Sequence, residues 1–262
     1  GRILGTIPLK GLCTAAMTVF FAKQAEEKEI ITDILETPHS HVVVAKNIPK
    51  IPILFTVHNY MTNGNEASLW TQYQKGLRHI CGYTLPHGLK ENQQLPEPLL
   101  IPVMNGHPTA KEAIAAEGLL DEDVLEEMEQ IIKKIGAEGV SHAKKQGFIL
   151  ASATYEFGIE RNAPVLLHGF HTPKTAVYWN AAQYDKHFAA GTAQDIVTPK
   201  VVSEWLASVG FKGNGPAPPI PEEIRIKAAE EYIHIAEKLM GKKIAVLKGD
   251  FVKEMEKSLL KE

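Results

Sequence analysis

The sequence predicts an α+β fold in two lobes, a small β-rich lobe over residues 1–56 and a larger α/β lobe over 57–262. Three observations point there. The chain has 262 residues, 44% of them apolar, enough to bury a large core, and the length suits one two-lobed domain or two small ones. A long stripe of apolar residues at helical spacing follows Asp121, and short β-rich runs bounded by turn residues come after it. Ile48-Pro49-Lys50-Ile51-Pro52 makes a stiff connector near the lobe boundary, because each proline fixes φ and pushes its predecessor away from helix.

In chain order, a helix is expected through Thr14 to Glu29 and strands at His41 to Ala45 and Ile51 to Val57. The clearest helix runs from an Asp121 cap to about Gln146, with Val124, Leu125, Met128, Ile131, Ile132 and Ile135 on one face. Gly136 and Gly139 weaken it but sit where another element can pack closely. Phe148 to Tyr155 and Val165 to Phe170 read as a hairpin turned at Arg161-Asn162-Ala163-Pro164. The Pro/Gly-rich loop from Gly210 to Pro221 leads into a helix from Glu222 to about Gly241, patterned by Ile224, Ala228, Tyr232, Ile235, Ala236 and Leu239. A last amphipathic segment, Phe251 to Leu260, reads as an extra C-terminal packing or oligomer element.

Charge and cysteine content narrow the function. A net charge of −3, from 28 basic and 31 acidic residues, gives no electrostatic footprint for nucleic acid or an anionic membrane, so neither is expected as a partner. Cys13 and Cys81 are too few for a disulfide framework, and a reducing, cytoplasmic setting is the default. The apolar run Leu12 to Phe21 imitates a signal peptide, but no small-residue cleavage site follows before Lys23, Glu26 and Glu27. No run approaches the roughly 20 apolar residues that span a bilayer.

Several motifs in order resemble the SAICAR synthetase family, which uses ATP to join aspartate to the carboxylate of an aminoimidazole ribonucleotide. They are Ile7-Pro8-Leu9-Lys10-Gly11, Val19-Phe20-Phe21, Ser68-Leu69-Trp70, Cys81 through Pro96, Tyr155-Glu156-Phe157-Gly158, His171-Thr172-Pro173 and Tyr178-Trp179. The resemblance implies a cleft between the small β-rich lobe and the larger α/β lobe. It also implies a glycine-rich, phosphate-holding strand-turn-strand ahead of Ile7. The sequence opens at Gly1-Arg2-Ile3 without it, so the expectation is either a trimmed chain or a small lobe that is only a remnant.

Inside that frame the charged positions differ. Where the family reads Asp-Thr-Lys-x-Glu-Phe-Gly, this chain has Ser152, Ala153, Thr154, Tyr155, Glu156, Phe157 and Gly158. Leu167, His168, Gly169 and Phe170 occupy its acidic stretch, and Lys174, Thr175, Ala176 and Val177 replace its Asp-Ser-Ser-Arg. His58 and Asn59 stand where it has Arg-Gly, and Val103, Met104 and Asn105 where it has Thr-Thr-Lys. Mg²⁺ needs carboxylate oxygens and a transferred phosphoryl group needs positive charge. The expectation drawn from these substitutions is that ligase activity is lost and the site repurposed for an apolar small molecule, by ATP-independent isomerase, cyclase or lyase chemistry. A binder without turnover and a genuine SAICAR synthetase are the alternatives.

The expected catalytic groups are Glu156, His58, His168 and Tyr60, and the expected substrate contacts are Leu54, Met104, Phe170, His171, Lys174, Val177 and Tyr178. Each has a blander reading. His168 fits a core histidine bonded to backbone, a pocket group or a metal ligand; Glu156 fits a hairpin anchor or a general base; Tyr178 and Trp179 fit wall or core. His39-x-His41 and His168-x-x-His171 have metal-compatible spacings, but no Cys or acidic cluster completes either, and no metal is expected. No cofactor is expected unless the family activity is retained, in which case ATP and Mg²⁺ enter. The partner is a small-molecule substrate, with a homodimer as the expected assembly.

Overall fold

The structure, a computed structural model, describes residues 4–64, 68–245 and 251–260. The opening Gly1-Arg2-Ile3 lies outside them. Eight helices and ten strands are assigned among the described residues: α1 (Lys10–Glu26), β1 (Ile34–His39), β2 (Val42–Ala45), β3 (Lys50–Tyr60), α2 (Leu69–Gln74), β4 (His79–Ile80), β5 (Tyr83–Thr84), β6 (Gln94–Met104), β7 (His107–Pro108), α3 (Lys111–Ala116), α4 (Glu122–Lys145), β8 (Phe148–Glu160), β9 (Ala163–Leu166), β10 (Ala176–Asn180), α5 (Ala181–Ala190), α6 (Val201–Ser208), α7 (Glu222–Met240) and α8 (Phe251–Leu259). None of the helices is long and apolar enough to cross a membrane.

The chain groups into two compact units. One holds the residues up to Phe20, Leu35–Val44 and the chain from Thr198 onward; the other holds Phe21–Ile34 and Ala45–Val197.

The first unit is mainly helical, with the two-stranded ribbon β1–β2 beside its helices. Leu12, Cys13 and Met17 of α1 and Ala228, Ala229, Ile235, Ala236, Leu239 and Met240 of α7 are its buried apolar residues among those described. Glu222 and Glu223 in the first turn of α7 complement the positive end of its dipole, and Gly241 closes it in the left-handed region at φ 69°. Glu231 accepts from the backbone N–H of Lys200 (2.8 Å) and of Val201 (3.0 Å), satisfying donors at the start of α6 that have no partner within their own helix.

The second unit is built on an antiparallel sheet in the order β10-β8-β3-β6-β7, with β9 also paired to β8. Its longest strand, β8, has 13 residues. The first part of β8 pairs with β10 and the last part with β9, while β3 lies along its other side. The β8–β9 turn places Arg161 and Asn162 at φ 53° and 63° between the paired residues Glu160 and Ala163. Two positive φ values in a two-residue connection are the mirror-image turn whose twist matches paired strands. The strand expected at Val165 to Phe170 stops at Leu166. Beyond it Gly169 (φ 92°) and His171 (φ 58°) bend the chain into a loop.

Strand alternation gives the sheet two different faces. Ile53, Phe55 and Val57 of β3 and Ala153, Tyr155 and Phe157 of β8 share one face and are buried. Helix α4 packs here through Leu125, Met128, Ile132, Ile135, Gly139 and Ala143. Gly139 is needed there, because a Cβ would sit 2.6 Å from His171 Nε2. The other face carries Leu54, Thr56 and His58 opposite Glu156, Thr154 and Ser152. On the β6 side of that face, Leu99 and Ile101 are covered by a second core of Met61, Leu69, Tyr73, Leu85 and Leu89.

Candidate functional site

Charged residues from β3, β8, Asp33 and the loop after β9 gather around one end of β8. Backbone pairing sets the geometry. Leu166 N–H donates to Ile31 C=O (3.0 Å), and Asp33 N–H donates to Leu166 C=O (3.3 Å), so residues 31–33 run alongside β9. That alignment delivers Asp33, only 2% exposed, to His168. The Asp33 carboxylate accepts from His168 N–H (2.9 Å) and lies 2.6 Å from His168 Nδ1. A carboxylate holding both the backbone and Nδ1 of one histidine fixes its ring and turns Nε2 outward. The imidazole is about half exposed, at 53% of its side chain. Its pKa is raised, chiefly by the hydrogen bond to Asp33, with further support from the charges of Asp33 and Glu156 and opposition from desolvation and Lys174.

Glu156 lies on the sheet face beside this pair and forms an ion pair with Lys50 of β3. The His168 loop is held by short bonds: Thr172 Oγ1 and Thr175 Oγ1 both donate to Gly169 C=O at 2.7 Å. Thr154 N–H donates to Thr175 C=O, also at 2.7 Å, which ties the loop to β8. Lys174 on this loop is exposed. Asp33, Lys50, Glu156, His168 and Lys174 thus form a mixed-charge cluster that couples a buried carboxylate to an exposed imidazole.

Farther along the same face come Thr56 and Thr154, whose hydroxyls lie 3.1 Å apart, then His58 paired with Ser152, and Val177 paired with Ser152. His58 Nδ1 lies 3.4 Å from Thr62 Oγ1. Desolvation lowers its pKa to about 4, so it is neutral at physiological pH.

The structure therefore brings Leu54, His58, Glu156 and Val177 onto one sheet face and sets His168 and Lys174 beside Glu156. Five other expected residues lie elsewhere. Met104 pairs with Ile53 and so shares the α4 side of the sheet, whereas its neighbour Val103 pairs with Leu54. Phe170, His171 and Tyr178 are core residues, each no more than 2% exposed. His171 Nε2 lies 2.8 Å from the Tyr155 hydroxyl, Tyr178 donates to His171 C=O at 2.8 Å, and Phe21 and Phe170 meet the His171 ring edge-on. Burial lowers its pKa to about 3. Tyr60, expected with His58, packs instead on Trp179 and Tyr184, with ring centroids 5.1 and 5.4 Å away.

Of the metal-compatible spacings, His39 and His41 stack on each other at 5.3 Å between centroids. His168 and His171 diverge, one toward Asp33 and one into the core. Among the described residues no three His, Cys, Asp or Glu side chains are grouped to hold a metal ion. Asp33 is the functional candidate that motif reading misses. Its signal is an acid inside the apolar run Ile30-Ile31-Thr32-Asp33-Ile34, since a carboxylate buried there must find a partner.

The sequence profile of the SAICAR synthetase family matches residues 2–218. A putative phosphoribosylaminoimidazole-succinocarboxamide synthase 2 of Mesorhizobium japonicum is 32% identical over 259 residues, covering 95% of this chain and 82% of that one. The phosphoribosylaminoimidazole-succinocarboxamide synthase of Legionella pneumophila is 30% identical over 247 residues, covering 92% and 78%. In fold, the chain is similar to the SAICAR synthase of Saccharomyces cerevisiae, solved in complex with SAICAR, with a TM-score of 0.76 at 23% identity over 92% of this chain and 85% of that one. A match across most of the chain, carried by relatives at this identity and by the same arrangement of sheet and helices, leads to one conclusion: the chain belongs to the SAICAR synthetase family.

Proposed function

We propose that the chain is a carbon–nitrogen ligase of the kind its relatives are named for, working on the sheet face that ends at Glu156 and the Asp33–His168 pair. The support is its likeness to named synthetases over more than nine-tenths of its length. These comparisons favour retained ligase chemistry over the loss expected from the substituted motifs. The observation that carries the chemistry is the buried Asp33 carboxylate aligning an exposed imidazole beside Glu156.

The residues present meet the minimum for nucleotide-bound Mg²⁺, which is usually held by one or two carboxylates plus phosphate oxygens and keeps several waters. Glu156 would supply the carboxylate. Lys50 and Lys174 would face the phosphates. Bound Mg²⁺·ATP supplies the phosphoryl group that activates a carboxylate toward an amine. This chain's own part is proton handling and positioning. An attacking amine must shed a proton, and His168 Nε2, with its ring held and its positive charge stabilised by Asp33, accepts it. Thr56, Thr154 and Ser152 offer hydroxyls to neutral polar groups of the substrate.

A second reading has a specific observation behind it. Beyond Glu156 the β3 and β8 residues on this face are neutral, namely Thr56, Thr154, Ser152 and uncharged His58, next to Leu54 and Val177. That surface suits a less charged small molecule, bound or turned over by ATP-independent acid–base steps at His168. Release of ADP on mixing the protein with Mg²⁺·ATP, aspartate and the imidazole ribonucleotide carboxylate decides between the two. Release dependent on all three substrates supports the ligase; its absence at millimolar substrate leaves the second reading.

A further inference from the structure

The α4 side of the same sheet contains a cavity of about 700 Å³, on the opposite face from His58, Ser152 and Glu156. Its wall is largely apolar, with Val57, Leu100 and Leu150 from the strands and Ile132 and Val140 from α4. Protein interiors pack at crystal-like density and rarely keep voids larger than a water molecule. An opening this size between a helix and a sheet falls within the roughly 300–1,000 Å³ of ligand pockets.

The sequence keeps the space open in an identifiable way. Between Ile132 and Val140 the helix presents Gly136 and Ala137 to the cavity, where larger apolar residues would fill it. Gly139 is sterically required by His171, but Gly136 is not: a Cβ there would meet only the Tyr155 hydroxyl, at an ordinary 3.5 Å. Its backbone is helical, and glycine is unfavourable inside a helix. Neither packing nor backbone conformation calls for glycine at 136, so its consequence is the room it leaves.

The rim is cationic. Lys133 and Lys144 line the cavity from the exposed side of α4, and neither has an ion-pair partner among the described residues. They sit on one helical stripe with Gly136, Ala137 and Val140, one before the small residues and one after. Tyr60 also lines the cavity. We propose that this cavity binds an apolar carboxylic acid, with its hydrocarbon body against Leu100, Ile132 and Leu150 and its carboxylate at the lysine rim.

Calorimetric titration of the whole chain with dodecanoate, kept below its micelle concentration, tests this. One saturable site is expected, with a raised Tm in the presence of the acid. 1-Dodecanol should bind at least tenfold more weakly. Replacing both Lys133→Glu and Lys144→Glu should weaken dodecanoate at least tenfold while leaving Tm and dodecanol binding unchanged. Gly136→Leu should abolish binding in a protein whose Tm shows that it is folded. The proposal fails if no saturable heat appears up to about 1 mM acid, a Kd range weaker than specific small-molecule binding. It fails equally if alcohol and acid bind alike, or if Gly136→Leu leaves binding intact.

Discussion

Acidification to pH 5 should destabilise the sheet-containing unit through a histidine buried in its core. His171 is 1% exposed, and its folded-state pKa is lowered to about 3 by desolvation, with proximity to His142 as a lesser cause. In the unfolded chain it titrates near the ordinary value of about 6.5. A base whose folded pKa is depressed contributes stability fully above the unfolded value and loses it as pH falls toward the folded one. At pH 5 the unfolded state binds this proton and the folded state does not, and that difference of about 1.5 pH units is worth about 2 kcal/mol. His58, lowered to about 4 and only part-buried, acts in the same direction and adds at most a similar amount. His168 works against both, since its raised pKa stabilises the protein below about 6.5 and that contribution fades as pH rises. Its half-exposed ring keeps the opposing effect small. Urea unfolding at pH 7.5 and 5.0, with carboxylates still ionised at both, should therefore show a loss of about 2–4 kcal/mol at an unchanged m-value. His171→Gln should remove about half of that pH difference, whatever it does to stability at pH 7.5. Equal stability at the two pH values, or a difference untouched by His171→Gln, would refute the reasoning.

Two further outcomes follow from the packing and the charge pair. Asp33→Asn should bring the His168 pKa down toward the ordinary histidine value, as read from the imidazole proton shifts by NMR; an unchanged titration would mean that Asp33 does not hold the ring. Gly139→Ala should cost about 1–3 kcal/mol by forcing a methyl into the His171 ring. Gly136→Ala on the same helix should be neutral or stabilising by up to about 1 kcal/mol, so matched thermal melts that rank the two the other way would contradict the packing described.

Where the sequence carries a strong period, the structure follows it closely. The helix expected from Asp121 to Gln146 appears as Glu122–Lys145, with Leu125, Met128, Ile132 and Ile135 buried. The helix expected from Glu222 appears as Glu222–Met240. In both, apolar residues recur once per turn; Asp121 precedes its helix without making the side-chain cap bond expected of it, while Gly241 ends the second in the left-handed region. The first helix begins earlier than its pattern suggests, at Lys10, and ends at Glu26 because Glu29 turns into the left-handed region and Ile30 N–H returns to Ala25 C=O. By contrast β6, which pairs with β3 on one side and only over Val103 and Met104 with β7 on the other, gives little signal, since Pro96, Pro98 and Pro102 interrupt it and proline argues against a paired strand.

The site was legible only in part, for reasons of register and distance. Glu156 and His58 share a face because β3 and β8 pair in one register, while the separate β3–β6 register sends Met104 to the opposite side and leaves Val103 beside Leu54. Strand period alone does not reveal that register. His168 and His171 are three residues apart, yet the turn at Gly169 sends one out to Asp33 and the other into the core. Asp33 lies 135 positions before His168, and only the pairing of residues 31–33 with Leu166 makes them neighbours.

The ligase reading rests most directly on whether Glu156 and its neighbouring lysines hold a nucleotide. Calorimetric titration with Mg²⁺·ATP should give saturable binding that Glu156→Gln weakens at least tenfold, with His58→Gln as a folded control on the same sheet face. Absence of heat at millimolar Mg²⁺·ATP, or binding indifferent to Glu156→Gln, would contradict it.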